Sequence, residues 1–284
     1  MAERYHYLIG GLPELFTTEQ TAEQNLDSIQ EDILELLHPT DREQFLYLLY
    51  RNDNKNLLRL IRDRQGIHDD STISFHRPAA FTHQELEEGL IGIFPLADYT
   101  IQFLEEIDID RPLSLASENR LIELYFDEAI ERCDPFLSDY FAYKRDIKNI
   151  LSAINARRDG KEVGEVLIGQ TDLSHTLATS NQPDFGIAQS YPFVSRVREM
   201  LDQRQLTELE KHVDGLLLDH IAETSEGHIF DEITVFAYFI ELSLAARWLY
   251  RSASEGREKL RDILRKVLSN SALPQQVRAD ELAL

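Results

Sequence analysis

The chain has 284 residues, 43% of them apolar and 28% charged, a balance that builds a substantial core and excludes wholesale disorder. Its 29 basic and 51 acidic residues leave a net charge of −22, which repels phosphates and anionic headgroups, so neither nucleic-acid binding nor direct lipid insertion is expected. The lone Cys133 cannot form an internal disulfide, no run of about 18 apolar residues occurs, and MAERYHYLIGGLPELF is too weakly apolar for a secretory leader; a soluble cytoplasmic chain is expected.

Taken in order, Tyr5 to Ile9 is a short apolar-aromatic run closed by Gly10-Gly11 and Pro13, compatible with a short strand or a helical turn. Leu26, Ile29, Ile33, Leu36 and Leu37 then recur at three and four, the stripe of a helix that ends at His38-Pro39. Thr40 and Glu43 have the spacing of a capping box for the next helix, which runs to about Arg64. A polar loop from Gly66 to Pro78 leads to a new helix start at Thr82, with Glu85 three residues on, and the helical pattern continues to Glu106 with a break near Pro95. Ser117 to Cys133 carries another stripe, and Asp134-Pro135 opens the helix that follows. Gly160 to Pro192 is the least regular stretch. Beyond it, Val194 to Leu201, Gln205 to Glu223, Phe230 to Arg251 and Glu255 to Leu268 all read as helices. Clean two-residue alternation is almost absent, so the expected class is all-α.

Two of these helices echo each other. Tyr50 to Arg64 aligns without a gap on Tyr143 to Arg157, with Tyr, Asp, Lys, Asn, Leu, Ile and Arg recurring at an offset of 93. A fainter copy starts at Tyr238, 95 residues further on, with Glu241 where Asp146 and Asp53 stood. LSHTL (173–177) repeats the form of FTHQEL (81–86) at an offset of 92. Near-equal offsets over most of the chain predict one domain, 1–284, built of three helical repeats at roughly 1–107, 108–192 and 193–284. At 100° per residue, Tyr140, Tyr143, Ile147, Ile150, Leu151 and Ile154 fall on one face. Tyr47, Tyr50, Asn54, Leu57, Leu58 and Ile61 match it, as do Val235, Tyr238, Leu242, Ala245, Ala246 and Leu249. On its flank, Asp53 with Asn56 and Asp146 with Asn149 are three apart, placed to bond a neighbouring helix or cap its end. The third copy keeps the acid but has Leu244 for the amide. The repeat-defining residues are therefore Tyr50, Asp53, Asn56, Arg64, Tyr143, Asp146, Asn149, Arg157, Tyr238 and Glu241.

Reactive constellations are sparse. His212, His220 and His228 are eight apart, about 80° round a helix, so they share no ligand face and read as surface positions. His68-Asp69-Asp70 has the doublet of metal-dependent phosphohydrolases, but the surrounding Gly66 and Ser71-Thr72 place it in a loop. Asp108 and Asp110 lack the glycine and distal glutamate of a calcium loop, and Gly10-Gly11 lacks the lysine of a phosphate loop. Cys133 has no placed histidine partner and reads as an inert thiol. No catalytic, cofactor-binding or metal site is expected.

The helix carrying Asp146, Ile147, Asn149, Ile150 and Arg157, echoed by Asp53, Asn56 and Arg64, resembles the recurring helix of the funnel-shaped central-rotor component of V-type and archaeal-type rotary ATPases, known there as the C component and in eukaryotes as the d component. The irregular region holding FTHQEL and LSHTL is also similar to that family's pattern, and the start YHYLIGGLPEL looks like a divergent bacterial branch. The resemblance implies three similar helical units around a pseudo-threefold axis, forming a funnel. It implies a non-enzymatic central-rotor part of an ion-transporting complex, with the central-stalk subunits and the membrane proteolipid ring as partners. Such a part is cytoplasmic and held at the membrane through the complex. A helical scaffold or assembly factor for that complex, and a metal-dependent phosphohydrolase, are the competing readings. The chain departs from the family in its shorter length and in Ser243-Leu244 beside Glu241.

Overall fold

Local signals in the chain set where its helices begin. Pro39 and Pro135 occupy first-turn positions, where a missing N–H costs nothing, and Asp134 accepts the amides of Phe136 and Leu137. The computed structural model describes residues 5–13, 19–67 and 75–249. Eleven α-helices occur among them: α1 (His6–Gly11), α2 (Glu19–Leu36), α3 (Pro39–Arg64), α4 (His83–Leu90), α5 (Asp98–Glu106), α6 (Leu115–Arg132), α7 (Pro135–Arg158), α8 (Asp172–Thr179), α9 (Val194–Asp202), α10 (Leu206–Thr224) and α11 (Glu232–Leu249). A 3₁₀ turn, Val163–Val166, lies between α7 and α8, and no strand occurs among the described residues. The protein is all-α. No helix among those residues is long and apolar enough to cross a membrane.

The structure decides one expectation that the sequence left open and departs from others. The run after Tyr5 takes the helical option, as α1. Thr40 and Glu43 form no capping box, because Pro39 is already helical and His38, with extended backbone, is the cap. LSHTL lies inside α8 and does not open it: Thr171 is the cap, accepting Ser174 N–H, while Ser174 Oγ accepts Thr171 N–H. The true counterpart is the box of Thr82 and Glu85 at the start of α4. His212 and His220 are also half-buried, with Nε2 atoms shielded from solvent, and are not open-surface positions. His68, Asp69 and Asp70, and the helix expected at Glu255 to Leu268, fall outside the described residues.

The chain divides into two compact units, Leu34–Asp214 and Met1–Ile33 with Gly215–Leu284. The larger contains α3 to α9, hence both of the strongly matched helices. In it α6 lies against α5, α7 and α3. Phe45, Leu49, Leu57, Phe103, Leu121, Leu137 and Phe141 are sealed from solvent there, each such side chain stabilising the fold by about 1.5–3 kcal/mol. Polar ties join the same helices: Tyr125 donates to the carbonyl of Tyr47 (2.9 Å), Tyr47 donates to Glu128 (2.8 Å), and Tyr99 donates to buried Asn54 (2.8 Å). The smaller unit holds α1 and α11, where Val235, Phe236 and Phe239 are buried and Tyr238 donates to the carbonyl of Pro13 (2.8 Å).

Candidate functional site

The repeated helices α3 and α7 bury the same face. Tyr47, Tyr50, Asn54, Leu57, Leu58 and Ile61 are buried on α3; on α7 Tyr140, Ile147, Ile150 and Ile154 are buried, with Tyr143 and Leu151 half-buried. Val235, Leu242, Ala245 and Ala246 are buried on α11. Both long helices end alike. Gly66 and Gly160 take positive φ, +74° and +68°, which a side chain resists. The next residue returns its N–H to the helix, Ile67 to the Arg62 carbonyl and Lys161 to that of Ala156, closing a Schellman cap.

Past each cap the chain leaves helical geometry, and the polar flank of the preceding helix reaches out to hold it. Asn149 is wholly buried; its Nδ2 donates to the carbonyl of Ile168 and its Oδ1 accepts the N–H of the same residue, both at 2.8 Å. Asn56 does the same for His76, donating at 3.0 Å and accepting at 2.7 Å. An amide side chain can offer a neighbouring peptide a donor and an acceptor side by side. The asparagines thus act as single-residue strand partners, an arrangement that recurs at an offset of 93.

The acids behave less uniformly. Asp53 is buried, and its carboxylate oxygens accept the amides of Ala80 (2.9 Å) and Phe81 (3.2 Å). Tyr50 lies parallel to the ring of Phe81, and Asn52 donates to the carbonyl of Pro78 (2.9 Å). Four residues within two turns of α3 therefore fasten the segment 76–81. Asp146, at the equivalent place, instead accepts the hydroxyl of Tyr191 (2.5 Å). Tyr143, one turn before Asp146, is half-buried. Burial pushes the Asp53 carboxyl up to about 7, against the opposing pull of its two N–H donors, and also raises Asp146. In α11, burial raises Glu241 to about 7, one turn from Tyr238.

The terminal arginines diverge further. Arg157 donates to the carbonyls of Gln182 (2.5 Å) and Ser180 (2.7 Å) and lies over the Phe185 ring, 3.7 Å from its centroid. Arg64 is exposed and only approaches Asp110 (3.6 Å). A different segment is held by its neighbour Gln65, whose Nε2 donates to the carbonyls of Ile109 (2.9 Å) and Arg111 (2.6 Å), much as Arg158, 93 residues on, donates to the carbonyl of Leu201 (3.1 Å). Gln65 and Asn52 escape sequence reasoning because the second copy has Arg158 and Arg145 in their places, and Asn54, legible as a buried-face position, is not legible as the acceptor of the Tyr99 hydroxyl. The expectation that Asp and Asn bond or cap a neighbouring helix is corrected: their main targets are irregular segments that follow their own helix.

Chemically, this constellation positions backbone. The half-buried Cys133 thiol is pushed up to about 12 by burial and nearby carboxylates. Among the described residues, no three His, Cys, Asp or Glu side chains gather as a metal site. A comparison with curated proteins returns no match. A family of proteins does match, over residues 1–271. On that span, the chain belongs to the family described as protein of unknown function (DUF2764).

Proposed function

We propose that this protein is a non-catalytic central-rotor component of a V-type ATPase, coupling the central stalk to the membrane proteolipid ring. In this reading three helical units, led by α2–α3, α6–α7 and α10–α11, surround a pseudo-threefold axis as in the funnel-shaped rotor components that the sequence resembles. The chain is then peripheral to the membrane and reaches it through the proteolipid ring. The observation that carries the reading is the matched asparagine clamp of α3 and α7. Asn56 and Asn149 each pin the segment after their own helix through a two-way bond to one residue. A part that transmits torque by steric engagement needs loops held rigidly on long helices, and reactive groups contribute nothing to it.

Co-expression with the stalk subunits and proteolipid ring of a V-type ATPase tests the proposal. The tagged chain is expected to purify with both. Elution as a free monomer, with neither partner retained, overturns it. Retention during assembly but absence from the finished complex moves the assignment to an assembly factor.

A further inference from the structure

The corner between α4 and α5 exposes apolar side chains on a turn that is built to hold them. Ile93 is 69% exposed, Ile91 59% and Ile101 41%. Together with Phe94 and Leu104, Ile93 and Ile101 line an open groove of about 460 Å³ whose single charged lining residue is Glu105.

The exposure is not a loose loop's accident. After α4 the chain makes a Schellman turn, with Gly92 at φ +74°, Gly92 N–H on the carbonyl of Gly89 (3.0 Å) and Ile93 N–H on that of Glu88 (2.8 Å). In such turns the residue after the positive-φ glycine commonly packs back on the helix; here that residue is Ile93, and it faces solvent. Leu96 closes the turn from the other side by lying where a Cβ on residue 89 would be, 2.5 Å from that position, and is itself buried. A groove pre-shaped in this way binds without first paying an ordering cost.

We propose that this corner is a docking groove for a basic amphipathic helix of a partner protein. Two observations choose that occupant. The groove is a trough between two helices lined by aliphatic and aromatic side chains, the surface into which an apolar helix stripe fits. Its one charged lining residue, Glu105, is acidic and exposed, the lining holds no basic residue, and the chain as a whole carries −22. Lysines flanking the apolar stripe complete the match. A second copy of this chain brings the same −22 charge to the contact, and an anionic membrane brings the same sign. The proposal goes beyond the rotor assignment and stands or falls apart from it.

The test uses the full chain and two fluorescent helical probes of about 18 residues with identical Leu/Ile stripes, one with lysines on its polar face and one with glutamates. Anisotropy is expected to report saturable binding of the lysine probe that weakens with added salt, and none of the glutamate probe. Ile93→Asp and Glu105→Lys, both on the exposed surface, are each expected to weaken it about tenfold with an unchanged circular dichroism spectrum. Equal binding of both probes, or indifference to both substitutions, overturns the proposal. So does concentration-dependent dimerisation that Ile93→Asp abolishes, because a second copy then owns the groove. None of these outcomes depends on ATPase subunits, so failure here leaves the rotor assignment untouched.

Discussion

At the scale of single residues, Asn149 is the most consequential side chain of the repeat. It satisfies both backbone groups of Ile168 in a place that water does not reach. Asn149→Ala strands a buried N–H and a buried carbonyl together, and the expected loss is about 3 kcal/mol. A lower urea midpoint at unchanged slope measures it. Asn149→Asp is expected to be worse, since the second oxygen faces a carbonyl and brings an unpaired charge into the core. Asn56→Ala makes the useful contrast. Its partner His76 is only half-buried, so water replaces part of what the amide supplied, and the loss is expected to be about half as large. Equal losses at the two positions would contradict the difference in burial.

At the scale of elements, the helices were legible because their signals are local. Asp134-Pro135 and Thr82 with Glu85 state a helix start within four residues, and apolar spacing marks the buried face of α3 and α7 before any contact is known. The pattern failed where two local signals competed, as at His38-Pro39, which displaced Thr40 as the cap. It also could not say what Asp53, Asn56 and Asn149 hold. Their partners lie 19 to 28 residues downstream on irregular backbone, whose path follows no period. That is why Asp53 and Asp146, alike in sequence, end on different partners, two amides in one case and a tyrosine hydroxyl in the other. The caps connect the legible part to the illegible one, because the turn at Gly160 aims the chain toward the Asn149 clamp. Gly160→Ala puts a Cβ on a left-handed residue with open space around it, so the cost is conformational, about 1 kcal/mol. Gly160→Asn is expected to recover part of it, since asparagine tolerates that region. Thermal melts of the two variants check the order.

At the scale of the whole molecule, two electrostatic effects push stability in the same direction with pH and differ in their response to salt. The net charge of −22 sets up self-repulsion that weakens as carboxylates protonate, and added salt screens it. The buried acids act differently. Asp53 and Glu241 are raised to about 7 in the folded protein, whereas an unfolded carboxyl titrates near 4. Between those values the folded state keeps protons that the unfolded state has released. Stability is therefore highest toward the acidic end of this window, falls as pH rises through it, and levels off above about pH 7. Glu106, held down to about 2 by Arg120, works in the opposite sense only at lower pH, while His76, lowered by burial, offsets part of the fall inside this window. The urea midpoint is expected to fall from about pH 5.5 to pH 8, and the part of that fall surviving in about 1 M salt belongs to the buried acids. Glu241→Gln removes one of them without adding charge, so it should flatten the high-salt slope while leaving most of the salt-sensitive part in place. If the slope vanishes in high salt for the unaltered chain, surface repulsion explains it alone, and the buried carboxyls titrate like ordinary ones.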